Sequence, residues 1–403
     1  MGLNETPSGE RVTIAFFGVR NAGKSSVVNA VTGQRLAVVS DVRGTTTDPV
    51  KKAMELLPLG PVVIVDTPGI DDEGELGEMR VAQARRVLRG CDVAVLVVDG
   101  TRALTSADEG LLAEFKARSV PFVVAWNKAD EACRPIPAQL VERTQAVSAA
   151  TGEGIRELKE RIAHIADKPA VSRPLVHDLV PAGSTVILVC PIDSAAPKGR
   201  LILPQQQVLR DLIDHACLPI VCRETELAAA LDALREPPAL VVTDSQAFGP
   251  VSKIVPESVP LTSFSILMVR YKGDLVEAAR GAAKLDHLRD GDRILVSEGC
   301  THHRQCDDIG TVKLPRWLRS YTGADLEFEF TSGVEFPDDP SSYALVVHCG
   351  GCMLNAREMR SRQRAAVEAG VPVTNYGVTI AQVHGVLRRS LTPFPEALAA
   401  LGE

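Results

Sequence analysis

An α/β fold built mainly on parallel sheets is the expectation from this sequence, and three observations carry it. Short β-branched runs alternate with stretches of helical periodicity along most of the chain. A glycine-bearing loop, Gly18-Val19-Arg20-Asn21-Ala22-Gly23-Lys24-Ser25-Ser26, sits between such a run and a helical pattern. Two cysteine-bearing segments in the last third, Cys300-Thr301-His302 and His348-Cys349-Gly350-Gly351-Cys352, each follow an apolar run. The expected organisation is a phosphate-loop nucleotide-binding domain over residues 1–168, a small α/β domain over 169–265 and a second over 266–403, each of the last two with a parallel sheet.

At 403 residues the chain is long enough for several hydrophobic cores, and its 45% hydrophobic and 24% charged residues are ordinary for a globular protein. A net charge of −7 and 4% aromatic residues give neither the basic field nor the stacking side chains of a nucleic-acid binder. The first ten residues are polar, and no apolar stretch approaches the ~18 residues of a membrane span. No nucleic-acid or membrane partner is expected, and the expected compartment is the cytoplasm. Nine cysteines are then reduced thiols. Cys91, Cys190, Cys217 and Cys222 lie in or beside apolar runs and read as small core residues, as does Cys133. Cys300, Cys306, Cys349 and Cys352 crowd into the last third.

Residues 12–17 (VTIAFF) read as a buried strand, and the pattern after the glycine loop reads as a helix through Val31. A phosphate loop requires this setting. The backbone of Asn21, Ala22, Gly23, Lys24, Ser25 and Ser26 would wrap the phosphates at a helix N-terminus, Lys24 would reach the β and γ phosphates, and the Ser25 hydroxyl would ligate Mg²⁺. A second strand over 62–65 ends in Asp66-Thr67-Pro68-Gly69, where Asp66 can hold Mg²⁺ through water and the Gly69 N–H can sense the γ-phosphate. Further strands over 93–98 and 122–126 follow, and the latter ends in Asn127-Lys128-Ala129-Asp130. The Asp130 carboxylate can accept from both the N1–H and the 2-amino group of guanine, a donor pair that adenine lacks. Ser148-Ala149-Ala150 completes a base pocket, so the nucleotide is GTP.

These elements resemble those of the translation-factor-like GTPases, and more closely their potassium-dependent, TrmE-Era-like branch. Asn21 and the segment Ser40-Asp41-Val42-Arg43-Gly44-Thr45-Thr46 carry the closer resemblance. It implies that Asn21, Ser40, Val42 and Thr45 supply oxygens to a K⁺ beside the phosphates and that Thr46 ligates Mg²⁺. Lys24, Thr46 and Gly69 are then the catalytic groups, and the cation does the work of an arginine finger. One position departs from the Ras-like pattern: Ile70 stands where those enzymes place a water-orienting glutamine, leaving Glu75 or Glu78 for that task and implying slow intrinsic turnover.

Beyond a helix from about 154 to 166, residues 167–183 lose periodicity and contain Pro169, Pro174 and Pro181, which reads as a linker. Strands over 185–190, 218–222 and 239–243 then alternate with helices over 204–216 and 224–234, a βαβ rhythm with no catalytic cluster; packing or self-association is its expected role. In the last third, strands over 293–298 and 343–347 break at the two cysteine segments. Parallel strands share one carboxyl edge, where such folds bind ligands. Cys300, Cys349 and Cys352 are soft thiolate ligands suited to zinc or an iron–sulfur cluster, with His302 or His348 available as a further ligand. Spacing alone leaves zinc, an iron–sulfur cluster and metal-free thiols all open, and His303, Cys306, Asp307 and Asp308 are further candidates for a fourth ligand.

Taken with the upstream GTPase elements, the two cysteine segments resemble those of the FeFe-hydrogenase maturation GTPases. The stretches Ala196-Pro197-Lys198-Gly199-Arg200-Leu201-Ile202-Leu203-Pro204 and Asp307-Asp308-Ile309-Gly310 support the likeness. It implies a GTPase, a dimerisation and a cluster-binding domain, with Cys300, Cys349 and Cys352 holding a 4Fe–4S cluster whose fourth site is exchangeable. It further implies a homodimeric scaffold that receives a diiron precursor made with radical-SAM partner enzymes and delivers it to apo-hydrogenase. Cys306 lies outside that pattern, and an extra thiol there would close the exchangeable site. The alternative is a ribosome- or tRNA-associated GTPase with a structural zinc site, against which the acidic balance counts.

Overall fold

Strand β1 (Val12–Phe17) lies at the heart of the first sheet because four consecutive residues, Ile14 to Phe17, are fully buried, with side chains alternating between two cores. The computed structural model describes residues 6–34, 50–69, 75–166, 173–192, 201–299 and 308–402, without the side chains of 75–78. It divides into two compact units, Met1–Val171 and Ser172–Glu403.

In the first unit, β1 is followed by α1 (Lys24–Thr32), β2 (Val50–Leu56), β3 (Gly60–Asp66), α2 (Glu75–Gly90), β4 (Val93–Asp99), α3 (Ser106–Ala117), β5 (Phe122–Asn127), β6 (Thr144–Ala146) and α4 (Ile155–Ala166). The sheet order is β2-β3-β1-β4-β5-β6, parallel except for β2, which runs antiparallel to β3. Ile14 and Phe16 pack with Val27, Val31, Leu158 and Ile162 of α1 and α4 on one face. Ala15 and Phe17 pack with Ala84, Leu88, Leu111 and Phe115 of α2 and α3 on the other. Each fully buried large side chain contributes about 1.5–3 kcal/mol, so this two-sided burial fixes the sheet and aligns its carboxyl ends. Strand β2 does not stand out in the sequence because it is a mostly exposed edge (VKKAMEL) with few apolar residues.

The second unit contains β7 (Thr185–Val189), α5 (Leu203–Asp214), β8 (Leu218–Cys222), α6 (Leu227–Asp232), β9 (Leu240–Thr243), α7 (Phe248–Ile254), β10 (Leu261–Ser263), α8 (Phe264–Lys272) and α9 (Leu275–Ala283). It continues through β11 (Arg293–Ser297), α10 (Leu314–Thr322), β12 (Glu327–Thr331), β13 (Leu345–His348), α11 (Ala356–Glu368), β14 (Val373–Asn375), α12 (Tyr376–Val383), α13 (Leu387–Ser390) and α14 (Pro395–Ala399). Two all-parallel four-stranded sheets result, ordered β10-β9-β7-β8 and β12-β11-β13-β14. One hydrophobic cluster runs from Leu175 to Ala397 and takes in strands of both sheets. Helix α8 is central to it, with Phe264, Ile266, Leu267, Met268 and Val269 all buried.

The segment that reads as a linker is in part structural. Leu175, Val176 and Val180 are buried in the second unit's core. The Asp211 carboxylate of α5 accepts the Val176 and His177 N–H groups at 3.0 and 2.9 Å, and Arg270 of α8 donates to the carbonyls of Pro174 and Leu175 at 3.1 and 3.3 Å. Asp211→Ala orphans both amides, and the second unit should lose about 1–3 kcal/mol of stability, read as a lower urea midpoint with an unchanged slope. Asp211→Asn keeps one acceptor oxygen and should lose less; an unchanged midpoint for Asp211→Ala would show that the carboxylate anchors nothing.

Candidate functional site

Asn127 stitches the first site together. It ends β5, and its side-chain Nδ2 donates to the Ala22 carbonyl of the phosphate loop at 3.0 Å while Oδ1 accepts the Ala149 N–H at 3.1 Å. The phosphate loop bends to meet it through left-handed backbone at Asn21 (φ 61°) and Gly23 (φ 82°). A Cβ at Gly23 would lie 2.2 Å from Asn127 Nδ2, so only glycine permits this approach. Helix α1 starts at Lys24, directly after that turn, and presents its N-terminal dipole to the loop.

The charged groups converge at the carboxyl end of β3. Lys24 pairs with the Asp66 carboxylate, and the Ser25 hydroxyl donates to Asp66 Oδ2 at 3.0 Å. A hydroxyl and a carboxylate in contact at a helix N-terminus form a hard-oxygen donor set, which suits Mg²⁺. Thr67 locks the next residue by donating from Oγ1 to the Phe16 carbonyl at 2.7 Å, and Gly69 packs against the Arg20 backbone. In the base loop, Lys128 adopts φ 68° and its ammonium pairs with Asp99 at 2.6 Å. Burial pushes the Asp99 carboxyl up, but bonds from Lys128 and Thr101 outweigh it and hold the group below the usual carboxylate range. Asp130 is exposed, Ser148 is buried, and Ala129 N–H donates to Val147 at 3.0 Å, tying the base loop to the 148–150 segment. Ser40, Val42, Thr45, Thr46 and Ile70 lie outside the described residues, as do the side chains of Glu75 and Glu78. Cys133, expected in a core, is instead exposed, its thiol donating to the Lys128 carbonyl at 3.2 Å.

The second site forms where β11 and β13 end. Their parallel pairing sets Ser297 opposite His348, so both chains leave the sheet side by side. Cys349 N–H donates to the Ser297 carbonyl at 2.9 Å. The Cys349 sulfur in turn accepts the N–H of Gly299 at 3.0 Å and of Gly351 at 3.4 Å. Gly299, the residue before Cys300 in the sequence, thus reaches this sulfur; Cys300, His302, His303, Cys306 and Asp307 themselves lie outside the described residues. Gly351 turns the chain at φ 62°, where a Cβ would fall 2.3 Å from the Met359 sulfur. Burial pushes the Cys349 thiol up to about 11 although the two amides favour its anion, and burial raises the Cys352 thiol against the opposing charge of Lys272. Partly buried sulfurs with directed N–H groups form a donor set that fits an iron–sulfur cluster, which such bonds tune.

His348 is engaged at both ring nitrogens. Its ring Nε2 faces Arg362 Nη1 at 3.1 Å and its Nδ1 faces the Cys349 carbonyl at 2.9 Å. A guanidinium only donates, so Nε2 must accept and the proton sits on Nδ1. Burial, with Arg362 adding to it, lowers the imidazole pKa to about 3 and keeps it neutral. Both nitrogens have partners, so His348 braces the loop in this arrangement.

Sequence reading missed the groups around this loop. Arg362, 1% exposed, bonds Glu358 at 2.8 Å, the Gly333 carbonyl at 2.8 Å and Ser297 Oγ at 3.4 Å. The Tyr376 hydroxyl donates to Glu298 at 3.2 Å, and burial with nearby acidic groups raises its pKa and keeps it protonated. Lys272 spends its ammonium on the cysteine loop's carbonyls. The only local signal was the Glu358/Arg362 spacing of four, which on its own reads as a surface pair. Elsewhere, His177, Asp211 and His215 cluster on the second unit. The two imidazoles stack face to face, centroids 3.5 Å apart and planes within 4°, with Nδ1 of His177 on the Asp211 carboxylate and Nδ1 of His215 on the Asp211 carbonyl. A metal binds in the plane of each ring, so stacked rings do not share one.

Comparison with known families assigns the second unit. The hydrogen maturase F dimerization domain matches residues 175–273, and the hydrogen maturase F tetramerization domain matches residues 276–393. The chain belongs to the hydrogen maturase F family. A third model, the 50S ribosome-binding GTPase, matches residues 13–128 of this family member. Curated relatives include the tRNA modification GTPase MnmE of Synechococcus sp. (strain JA-2-3B'a(2-13)), 36% identical over 158 residues that cover 38% of this chain and 34% of that protein. The MnmE of Heliobacterium modesticaldum is 36% identical over 154 residues, covering 36% of this chain and 32% of the relative. The chain thus spans about a third of the length of these relatives. Among solved structures, the G domain of the T. maritima FeoB iron transporter covers 39% of this chain and 100% of its own, at 26% identity and a TM-score of 0.32. This hydrogen maturase F member is therefore a GTPase with self-association domains, and among its described residues no helix is long and apolar enough to cross a membrane.

The buried pair beneath the cysteine loop yields a stability prediction. Arg362→Met strands the Glu358 carboxylate in the interior and should cost about 3–5 kcal/mol in urea unfolding. Adding Glu358→Leu should recover part of that loss, because the orphaned charge goes with it. A double variant no more stable than the single one would show that the ion pair is not the source of the loss.

Proposed function

We propose that this protein is a GTPase scaffold and carrier in FeFe-hydrogenase maturation. It would bind a 4Fe–4S cluster and pass a diiron precursor, made with radical-SAM partner enzymes, to apo-hydrogenase. The observation that carries the reading is the Cys349 sulfur, held by amides from both strand ends, one of them on the neighbour of Cys300. The membership of the chain in the hydrogen maturase F family supports it. Cys300, Cys349 and Cys352 would be the protein ligands, with His302 the nearest histidine in sequence now that His348 is engaged elsewhere. Such a cluster, when bound, supplies an iron whose fourth position can exchange ligands.

In the first unit, Lys24 and the loop amides would hold the phosphates, and Ser25, Asp66 and Thr46 would hold Mg²⁺. Gly69 would sense the γ-phosphate, Asp130 would select guanine, and Asn21, Ser40, Val42 and Thr45 would cage K⁺. The work would fall to residues 1–168 for GTP, 169–265 for dimerisation and 266–403 for the cluster, in a cytoplasmic homodimer. Strand β8, an open edge with Leu218 60% and Val221 43% exposed, supports self-association at that edge.

Two measurements test the reading. GTP hydrolysis should run at least about tenfold faster in KCl than in NaCl, as expected when a cation neutralises transition-state charge; equal rates would remove the K⁺ site. Cys349→Ala should abolish the cubane EPR signal after anaerobic reconstitution and leave GTP hydrolysis within about twofold. Stoichiometric zinc in the parent protein without a cubane signal would instead favour a ribosome- or tRNA-associated GTPase with a structural zinc site.

A further inference from the structure

Lys272 is 1% exposed, an unusual place for an ammonium group. It ends α8, and its Nζ donates to three backbone carbonyls of one loop: Leu354 at 2.8 Å, Cys352 at 3.1 Å and Gly351 at 3.4 Å. An ammonium has three N–H groups, and this loop offers an acceptor to each. The rest of α8 supports the same loop. A Cβ at Gly350 would lie 3.7 Å from Ser265 Oγ and 3.9 Å from the Met268 Cβ, so residues 265, 268 and 272 back the loop along one helical stripe. Ser265 is itself pinned by Asn375 Nδ2, which donates to its carbonyl at 2.9 Å, and by the Gly377 N–H on its hydroxyl at 3.2 Å. Past the helix end, Gln363 accepts the Asp274 N–H at 2.7 Å. The anchor points of Lys272 are therefore fixed on both sides.

Packing alone does not explain the choice of residue. Desolvating a cation costs several kcal/mol, and an apolar side chain of similar length would fill the volume without that cost. What only a cation supplies is a field. The Lys272 ammonium lies against the peptide of Cys352, the residue that carries one of the loop's two thiols. We infer that Lys272 is a positioning residue that both shapes the Gly351–Leu354 backbone and offsets the negative charge that thiolates bring to an iron–sulfur cluster, raising its reduction potential. The inference rests on the cluster reading of this loop. It also gives the dimerization domain a handle on the site, because Lys272 lies within residues 175–273 while the carbonyls it holds lie within 276–393.

The test uses the full-length protein, reconstituted anaerobically with iron and sulfide, as wild type, Lys272→Gln and Lys272→Arg. The midpoint potential is read by dithionite titration followed by EPR, with iron per chain and circular dichroism alongside. Glutamine keeps two donors and removes the charge, so its midpoint should fall by at least about 59 mV, a tenfold change in a one-electron equilibrium. Arginine keeps the charge and should remain closer to wild type. A glutamine variant with the wild-type midpoint overturns the inference and leaves the cluster reading standing. Where the glutamine variant does not fold or takes up no iron, the arginine variant decides: wild-type iron content supports the role of charge, and a folded arginine variant without cluster overturns it. A folded wild type that takes up no iron overturns the cluster reading and this inference with it.

Discussion

Parallel pairing of β11 with β13, in the register that sets Ser297 against His348, is the constraint on which the second unit's site depends. Two segments separated by some fifty residues, as in the 299–349 contact, meet there only because both strands end at one sheet edge. Burial on both faces holds that register: Ile294, Leu295 and Val296 on one strand and Leu345, Val346 and Val347 on the other are all 0% exposed. A slip of one residue would turn every side chain to the opposite face and carry Cys349 away from Gly299. Core packing and site geometry are therefore one problem here. The Cys349 N–H on the Ser297 carbonyl continues the ladder one step past the sheet, so the cysteine loop inherits the rigidity of the strands.

The two units provide for negative charge in different ways. In the first, a glycine turn opens a helix, and the helix dipole with one lysine, paired with Asp66, faces the site. In the second, amide N–H groups point at a sulfur, while the cations Lys272 and Arg362 are buried behind the loop, each with its donors spent on backbone or side-chain partners. Desolvation strengthens a cation's effect on a neighbouring thiolate, since the effective dielectric falls with depth.

How much of this was legible in the sequence follows from the range of each interaction. The phosphate loop, the Asp66 segment and the base loop could be read because each is a short run whose chemistry is local, flanked by strands such as VTIAFF. The cysteine segments could be read for the same reason, at the ends of apolar runs. Their supports could not. Lys272 closes on carbonyls some eighty residues away and looks like an ordinary basic residue at a helix end. Helix α11, AREMRSRQRAAVE, carries Arg357, Arg360, Arg362 and Arg364 and reads as a solvated surface, yet Arg362 is interior. The contact of His348 was hidden for a related reason: a histidine beside a cysteine suggests a ligand, and its buried partner Arg362 lies fourteen residues away.

The hydrogen bonding of His348 in turn explains why a donor stands at 362. A neutral imidazole with its proton on Nδ1 presents a buried acceptor at Nε2, and an unsatisfied acceptor there would cost about 1–3 kcal/mol. Arg362 satisfies it and reaches Ser297 and Gly333 with the remaining donors, joining the ends of β11 and β13 with the 331–336 segment through one planar group. Glu358, one turn earlier on α11, balances the charge at 2.8 Å. A lysine at 362 would offer three donors from a single point and could not span these partners. The residue type is thus dictated by geometry.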